Sequence, residues 1–252
     1  MSWASRRRTF YLSGVFFVFA IPLAIVIGVW LYEPATCFDG TQNQTETAID
    51  RGGPCTLLDE RSLTPHAVLF SRAFPSRPGF HNAVAYIENP NANAAVPAIP
   101  YRFTLHDENG ILVAEREGVA FIMPNAITPI FEGTIPTGNR AVARTFFEFR
   151  APLVWERAES STDDIEVSGR VVSRTDGRVS AAVENTGVAD KDNILFVAVV
   201  FNTAGNAFAA SQTTVVRLSP DRKENITFSW PQGLPESVAR VDILPVLKPS
   251  IR

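Results

Sequence analysis

The feature that most constrains this chain is a run of 24 residues without a charged side chain, from Thr9 to Tyr32. A helix rises about 1.5 Å per residue, so this run would reach about 36 Å and cross a hydrocarbon core of about 30 Å with some tilt. Three arginines at positions 6–8 precede it, and basic residues stay on the cytoplasmic side. The sequence therefore predicts one transmembrane helix over residues 9–32, a cytoplasmic N-terminus, and a plasma-membrane protein whose remaining chain is extracytoplasmic.

A cleaved signal peptide is the alternative interpretation of this segment. Its apolar region would exceed the usual length of about 7–15 residues, and no A-x-A site follows it, which favours an uncleaved signal anchor. Small residues recur every fourth position at Ala20, Ala24 and Gly28. Such spacing lets two helices approach closely, but small residues are common in such spans, so a monomeric anchor is the favoured interpretation and a homo-oligomer through these residues is the alternative.

The net charge of the chain after the apolar run limits the kinds of partner that it can bind. Residues 33–252 hold 20 basic and 26 acidic side chains, a net charge of −6. A nucleic-acid surface needs a basic patch to neutralise phosphates, so we expect no nucleic-acid partner. Anionic headgroups would also repel this part of the chain, which confines the expected contact with the lipid bilayer to residues 9–32.

Cys37 and Cys55 are the only cysteines in the sequence. In an oxidising compartment outside the membrane the two thiols should pair, either within one chain or between two chains. A pair within one chain would close a short loop and stabilise it by about 3 kcal/mol in the chain-entropy model.

Four side chains between the cysteines offer oxygen atoms: Asp39, Asn43, Glu46 and Asp50. Calcium takes six to eight oxygen ligands, so backbone carbonyls or water would have to complete the set. Two interpretations stay open, a calcium-stiffened loop and a disulfide-closed solvated spacer without a metal.

The same segment resembles the C-x-D-G-x-x-N-x-x-E-x-x-x-D-C-G-G-x-C segments of many bacterial surface proteins. It keeps both cysteines, the four oxygen-bearing residues, Gly40, and the Gly52-Gly53 pair. Arg51 stands where the pattern has a third cysteine, so a second bridge found in those proteins is missing. The resemblance implies a surface-exposed setting.

From Ser62 onward, short β-rich runs alternate with turn residues, and the chain repeats itself. Glu88-Asn89 recurs as Glu184-Asn185, Pro124 as Pro220, and Ala143-Arg144 as Ala239-Arg240, each 96 residues later. Within the first copy, Tyr101, Phe103 and Leu105 alternate with polar residues, which predicts a half-buried strand. In the second copy, the nearly continuous apolar run 194–201 predicts a central strand. Each copy has the size of an immunoglobulin-like β-sandwich.

The repeats also resemble two related modules, the FxLYD domain and the late-embryogenesis-abundant type 2 domain. The matching residues are Asn89-Pro-Asn91 and Phe103-Thr-Leu-His-Asp107, in which His106 replaces the tyrosine. The second copy keeps Asn185 and has Asn202 in place of the final aspartate. The resemblance implies immunoglobulin-like sandwiches in a bacterial single-pass envelope protein, and it carries over no catalytic residue.

The predicted fold class is all-β, with two tandem immunoglobulin-like β-sandwich domains after one N-terminal transmembrane helix. The predicted segments are a cytoplasmic tail 1–8, a transmembrane helix 9–32, a disulfide-closed acidic loop and linker 33–62, a first sandwich 63–157 and a second sandwich 158–252. The polar stretch at 156–164 marks the expected boundary.

No catalytic arrangement is visible in the sequence, so we expect a protein that is not an enzyme. The three histidines, His66, His81 and His106, lack the H-E-x-x-H spacing of a metal site. We expect a membrane-anchored scaffold that binds an envelope or surface protein through its sandwich modules. The alternative is a calcium- or ligand-binding surface receptor that uses the loop from Asp39 to Asp50.

Overall fold

The computed structural model describes residues 3–31, 36–43 and 45–251. Its N-terminal element is helix α1 (Trp3–Leu31), with Pro22 inside it. The stretch Arg8–Leu31 is long and apolar enough to span a membrane or to serve as a signal sequence, and none of it is buried against the rest of the chain. Tyr32, the last residue of the predicted span, lies outside the described residues.

Beyond α1 the described chain is β-rich, so the prediction of a helix followed by an all-β chain is confirmed at this level. A 3-10 turn at Glu60–Ser62 precedes the strands. The strands are β1 (Ala67–Arg77), β2 (Phe80–Asn89), β3 (Ala94–His106), β4 (Leu112–Ile122), β5 (Ala126–Pro136), β6 (Arg144–Phe149), β7 (Glu156–Glu159), β8 (Ile165–Ser173), β9 (Arg178–Asn185), β10 (Lys191–Phe201), β11 (Ala207–Leu218), β12 (Lys223–Ser229), β13 (Arg240–Val246) and β14 (Ser250–Ile251).

The same strand order occurs twice along the chain. In the first half, β2 lies between β1 and β5, and β3 lies between β4 and β6. In the second half, β9 lies between β8 and β12, and β10 lies between β11 and β13. All of these pairings are antiparallel. The repeat read from the sequence is therefore a repeat of strand topology.

Each half has its own cluster of buried apolar side chains, drawn from both of its sheets. In the first half Tyr101, Phe103 and Leu105 are all buried, which confirms the predicted alternation in β3. In the second half β10 is central in its sheet, as predicted, and Ile194–Val200 is buried along most of its length. Burial on both faces explains why this strand is almost continuously apolar.

A third buried cluster joins the two halves. Phe74, Val84 and Tyr86 of the first half pack in one cluster with Val199 and Phe201 of the second. Two first-half side chains also donate across the junction: Arg72 Nη1 to Ala207 O at 2.9 Å, and Asn82 Nδ2 to Ala210 O at 3.2 Å. The halves therefore contact each other through apolar sheet faces as well as through the connecting chain.

Strand β7 crosses the domain boundary predicted at 157/158. Its first residues pair with Ala94 and Ala95 of β3, and its last residues pair with Ser250 and Ile251 of β14. The C-terminal strand thus extends a sheet of the first half. The polar ERAE sequence of β7 resembles a linker, yet its backbone pairs with a strand of the first half and with the C-terminal strand.

Candidate functional site

The loop between the cysteines is the site that the sequence singles out. Cys37 and Cys55 form a disulfide within the chain, with an S–S distance of 2.03 Å and a Cα–Cα distance of 5.5 Å. Of the two pairings that the sequence left open, this structure has the one within a single chain. The 17 residues between the cysteines are described except for Gln44.

Asp39 accepts hydrogen bonds from its own loop with both carboxylate oxygens. Oδ1 accepts from the Thr41 hydroxyl at 2.6 Å and the Thr41 N–H at 2.9 Å. Oδ2 accepts from Asn43 Nδ2 at 2.8 Å and Thr36 N–H at 2.9 Å. These donors, the Thr41 hydroxyl foremost, hold the pKa of the Asp39 carboxyl well below its usual range, because they favour the anion.

Asp50 binds the same turn from the other side of the loop. Its Oδ1 accepts from the N–H groups of Asp39 at 3.1 Å and Gly40 at 3.2 Å, and its Oδ2 lies 3.2 Å from the same Gly40 nitrogen. The two aspartates at the ends of the predicted ligand set are therefore connected through backbone amides. Each carboxylate acts as a hydrogen-bond acceptor that shapes the loop.

Glu46 points towards the disulfide, and it is one of the few buried charged residues of the chain, at 8% exposure. Its Oε2 accepts from the Asn43 N–H at 3.2 Å, and its Oε1 lies 3.2 Å from Cys55 Sγ. A disulfide sulfur carries no hydrogen, so the second distance is a packing contact. Asn43 Oδ1 is buried without a hydrogen-bond partner among the described residues.

These positions bear directly on the predicted calcium site. A metal site needs several ligand atoms close together. Among the described residues, Cys37, Glu46 and Cys55 form a group of this kind, with their ligand atoms within 4.8 Å of one another. Its two sulfurs are bonded to each other and cannot bind a metal as thiolates. Asp39 and Asp50 do not join this group. The calcium interpretation of Asp39, Asn43, Glu46 and Asp50 stays a prediction.

The loop is also tied to the first half of the β-structure. Leu58 N–H donates to Trp155 O at 2.8 Å, and Arg157 N–H donates to Thr56 O at 2.7 Å. Arg157 Nη2 donates to Gly53 O at 2.7 Å, and Leu58 belongs to the first-half core. Within the segment 33–62, which the sequence predicts as loop and linker, residues 56–58 pack on the fold.

Gly53 shows why the loop carries a glycine pair. Its φ is +52°, and a Cβ built on it would lie 2.8 Å from the Thr45 carbonyl oxygen. A side chain would meet both backbone strain and a clash with main-chain atoms. The close turn leaves the Gly53 carbonyl free to accept from Arg157, a partner 104 residues away that no local pattern identifies.

The repeated asparagines, Asn89 and Asn185, occupy matching buried corners with 1% and 0% exposure. In each copy the side-chain amide donates to two carbonyls, and its oxygen accepts from the N–H two residues on. The donor distances are 2.7 Å to Ala94 O and 2.8 Å to Met123 O for Asn89, and 2.8 Å to Ala189 O and 2.9 Å to Leu218 O for Asn185. The two asparagines that mark the repeat in the sequence therefore stabilise the fold by bonding to backbone groups.

The three histidines have separate neighbours. His66 lies beside the rings of Phe149 and Trp155, with centroids 6.0 and 5.9 Å away. His81 Nδ1 is 2.9 Å from Thr137 Oγ1, and burial lowers the pKa of this imidazole. His106 lies 5.3 Å from the ring of Phe146. Each imidazole therefore contacts a different set of side chains.

No family model and no curated protein matches this chain. Among solved structures it is similar to red sea bream transglutaminase, at 12% identity and a TM-score of 0.23, over 74% of this chain and 32% of that one. A β-glucuronidase from glycoside hydrolase family 2 is 10% identical, with a TM-score of 0.19 over 68% and 24% of the two chains. A Bacteroides uniformis β-glucuronidase is 15% identical, with a TM-score of 0.18 over 69% and 22%. This chain thus spans a third or less of each of these structures, and similarities this weak carry no argument about its fold or function.

Proposed function

We propose that this protein is a non-catalytic, single-pass membrane-anchored scaffold of the cell envelope. Its N-terminus lies in the cytoplasm, and its β-rich part lies outside the membrane and binds a protein partner. The β-rich part consists of two tandem immunoglobulin-like β-sandwich modules of the FxLYD or late-embryogenesis-abundant type 2 kind.

The observation that carries the proposal is the separation between helix α1 and the β-structure. No residue of the stretch Arg8–Leu31 is buried in the fold, whereas each half of the β-structure has its own apolar core. An apolar helix of this length needs a nonpolar environment that the rest of the chain does not provide. A bilayer provides it, and the net charge of −6 after residue 32 suits a domain that stays in water.

The repeated topology supports two sandwich modules. The first half pairs a three-stranded sheet with a five-stranded one, the second half pairs two three-stranded sheets, and each pair surrounds one cluster of buried side chains. Stacked antiparallel sheets with short connections are the architecture of immunoglobulin-like domains. The two buried asparagines, Asn89 and Asn185, hold equivalent corners in the two halves.

The titratable groups favour a binding role over catalysis. The carboxyls of Glu148 and Asp190 have lowered pKa values because Arg102 and Arg217 hold them as anions. Hydrogen bonds from neighbouring residues, the Thr41 hydroxyl foremost, lower the pKa of the Asp39 carboxyl. A general acid or base works best with a pKa near the working pH. These carboxylates instead act as fixed partners in surface and loop contacts.

Labelling of single introduced cysteines tests the orientation. Val188 is 98% exposed, so Val188→Cys gives a reactive position in the β-rich part, and Ser2→Cys gives one before the helix. We expect a membrane-impermeant maleimide to label Val188→Cys in intact spheroplasts and Ser2→Cys only after permeabilisation. Labelling of Val188→Cys only after lysis would refute the proposal. Loss of the N-terminal segment from the mature protein, measured by mass spectrometry, would replace the anchor with a signal peptide.

A further inference from the structure

The two halves differ where an edge strand of one sheet lies beside an edge strand of the other sheet. This place, called the seam, lies between β1 and β6 in the first half. In the first half, Thr145 of β6 closes the gap to β1: its Oγ1 accepts from the Ala73 N–H at 3.0 Å, and its carbonyl accepts from the Ser71 hydroxyl at 3.1 Å. These two bonds occupy the outer edge of β1, which is the last strand of its sheet.

The corresponding seam in the second half lies between β8 and β13. The residue 96 positions after Thr145 is Val241, which has no hydroxyl. Val172 takes the place of Ala73 because their strand partners correspond: Ala73 pairs with Ala83, Val172 pairs with Val179, and Val179 is 96 positions after Ala83. Among the described residues no hydrogen bond connects β8 to β13, and the seam is an open groove of about 310 Å³.

The groove combines apolar and basic side chains. Val172, Val238 and Val241 line it together with Arg170, Arg174 and Arg240. Arg240 pairs with Asp242 at 3.0 Å, and its guanidinium lies 4.1 Å from the centre of the Phe201 ring. The side chains of Arg170 and Arg174 are exposed, and Arg170 also interacts electrostatically with the Asp242 carboxylate. Three arginines thus face one carboxylate, Asp242, and the groove keeps an excess of positive charge in a part of the chain whose net charge is −6.

The edge of β8 offers backbone groups as well. β8 is the last strand of the sheet β12-β9-β8, so its outer N–H and C=O groups have no strand partner. Its ladder with β9 is interrupted between Ser168 and Val171 and regular from Val171 to Ser173. A free edge of this kind accepts an added strand, in which main-chain bonds provide affinity and alternate side chains provide specificity.

We propose that this groove binds an extended segment of a partner protein in which acidic and apolar residues alternate. The carboxylates pair with Arg170 and Arg174, the apolar side chains lie on the valines, and the backbone extends the sheet along Val171–Ser173. The inference rests on the proposed scaffold function and names the chemistry of its partner. A polyphosphate would satisfy the arginines, but it has no apolar groups for the valines and no amides for the strand edge.

The test measures peptide binding by the full chain in detergent micelles. The probe is a fluorescein-labelled ten-residue peptide of alternating Glu and Val, and the control probe replaces Glu with Lys. We expect fluorescence anisotropy to show saturable binding of the acidic probe that weakens with added salt. Arg170→Glu combined with Arg174→Glu should weaken this binding at least about tenfold, because attraction becomes repulsion. Arg222→Glu, at an exposed arginine outside the groove, should change it less than about twofold.

Three results would contradict the proposed binding of an acidic segment in the groove. Equal binding of the Lys probe, an equal loss in Arg222→Glu, or no binding of the acidic probe would each contradict it, provided that circular dichroism shows folded variants. Binding of inorganic polyphosphate, measured by calorimetry, without binding of the acidic peptide would reassign the arginines to phosphate. Failure here is separate from failure of the scaffold proposal, because the Val188→Cys labelling does not depend on the groove arginines.

Discussion

Arg157 Nη2 donates a hydrogen bond to the carbonyl oxygen of Gly53 at 2.7 Å, across 104 residues of chain. The bond joins the disulfide loop, which follows helix α1 in the chain, to β7, which pairs with strands of both halves. The loop is therefore attached to the β-structure by more than the covalent chain.

Removal of that contact should loosen the loop. We expect Arg157→Met to speed hydrogen exchange at the Gly52 and Cys55 amides and to lower the free energy of unfolding by about 1–3 kcal/mol, since the Gly53 carbonyl loses a charged donor. Arg51→Met, at an exposed arginine in the same loop, serves as the control and should leave both quantities nearly unchanged. Identical exchange in the two variants would show that Arg157 does not hold the loop.

The buried asparagines should be among the most sensitive positions of the chain. Asn89→Ala and Asn185→Ala each remove two donated bonds and leave two carbonyls unsatisfied. We expect each substitution to lower the free energy of unfolding by at least about 2 kcal/mol. Urea unfolding followed by tryptophan fluorescence measures this, with Trp155 and Trp230 as buried reporters. The exposed Asn139→Ala should stay within about 0.5 kcal/mol of the parent protein, and a similarly small loss at Asn89 would contradict the assigned role.

The loop should also respond to acid. Because the folded pKa of Asp39 lies below its unfolded value of about 3.9, its contribution to stability is present above pH 4 and is lost as the pH falls below it. We expect Asp39→Asn to lower stability at pH 7 and to flatten the pH dependence below 4. Thermal unfolding from pH 2 to 7 measures both effects. Glu108→Gln, at an exposed site, is the control. The prediction would be contradicted if the stability of Asp39→Asn changed with pH in parallel with that of the parent protein.

Calcium should have little effect on the loop. Both Asp39 and Asp50 already accept hydrogen bonds from loop amides, and a metal would have to displace these donors. We expect no heat and no shift in the unfolding temperature at millimolar calcium. Saturable binding that Asp50→Asn abolishes would instead support the calcium interpretation, and with it the receptor alternative.

The sequence was sufficient for features that depend on local periodicity. The apolar run before residue 33 predicted helix α1, the alternation at Tyr101, Phe103 and Leu105 predicted the buried face of β3, and the offset of 96 residues predicted the repeated strand order. Each of these follows from side-chain spacing along a few residues of chain. The sequence also identified Asp39, Asn43, Glu46 and Asp50 as a group, because they are close in the chain.

The tertiary structure alone decided where distant segments meet. Asp39 and Asp50, which the sequence predicted as metal ligands, accept hydrogen bonds from backbone amides, because N–H groups lie within hydrogen-bond distance of their carboxylates. The pairing of β14 with β7, the contact of Arg157 with Gly53, and the apolar junction between the halves involve residues separated by tens to hundreds of positions. Side-chain periodicity records which face of a strand is buried, but which sheet covers that face depends on how the whole chain packs.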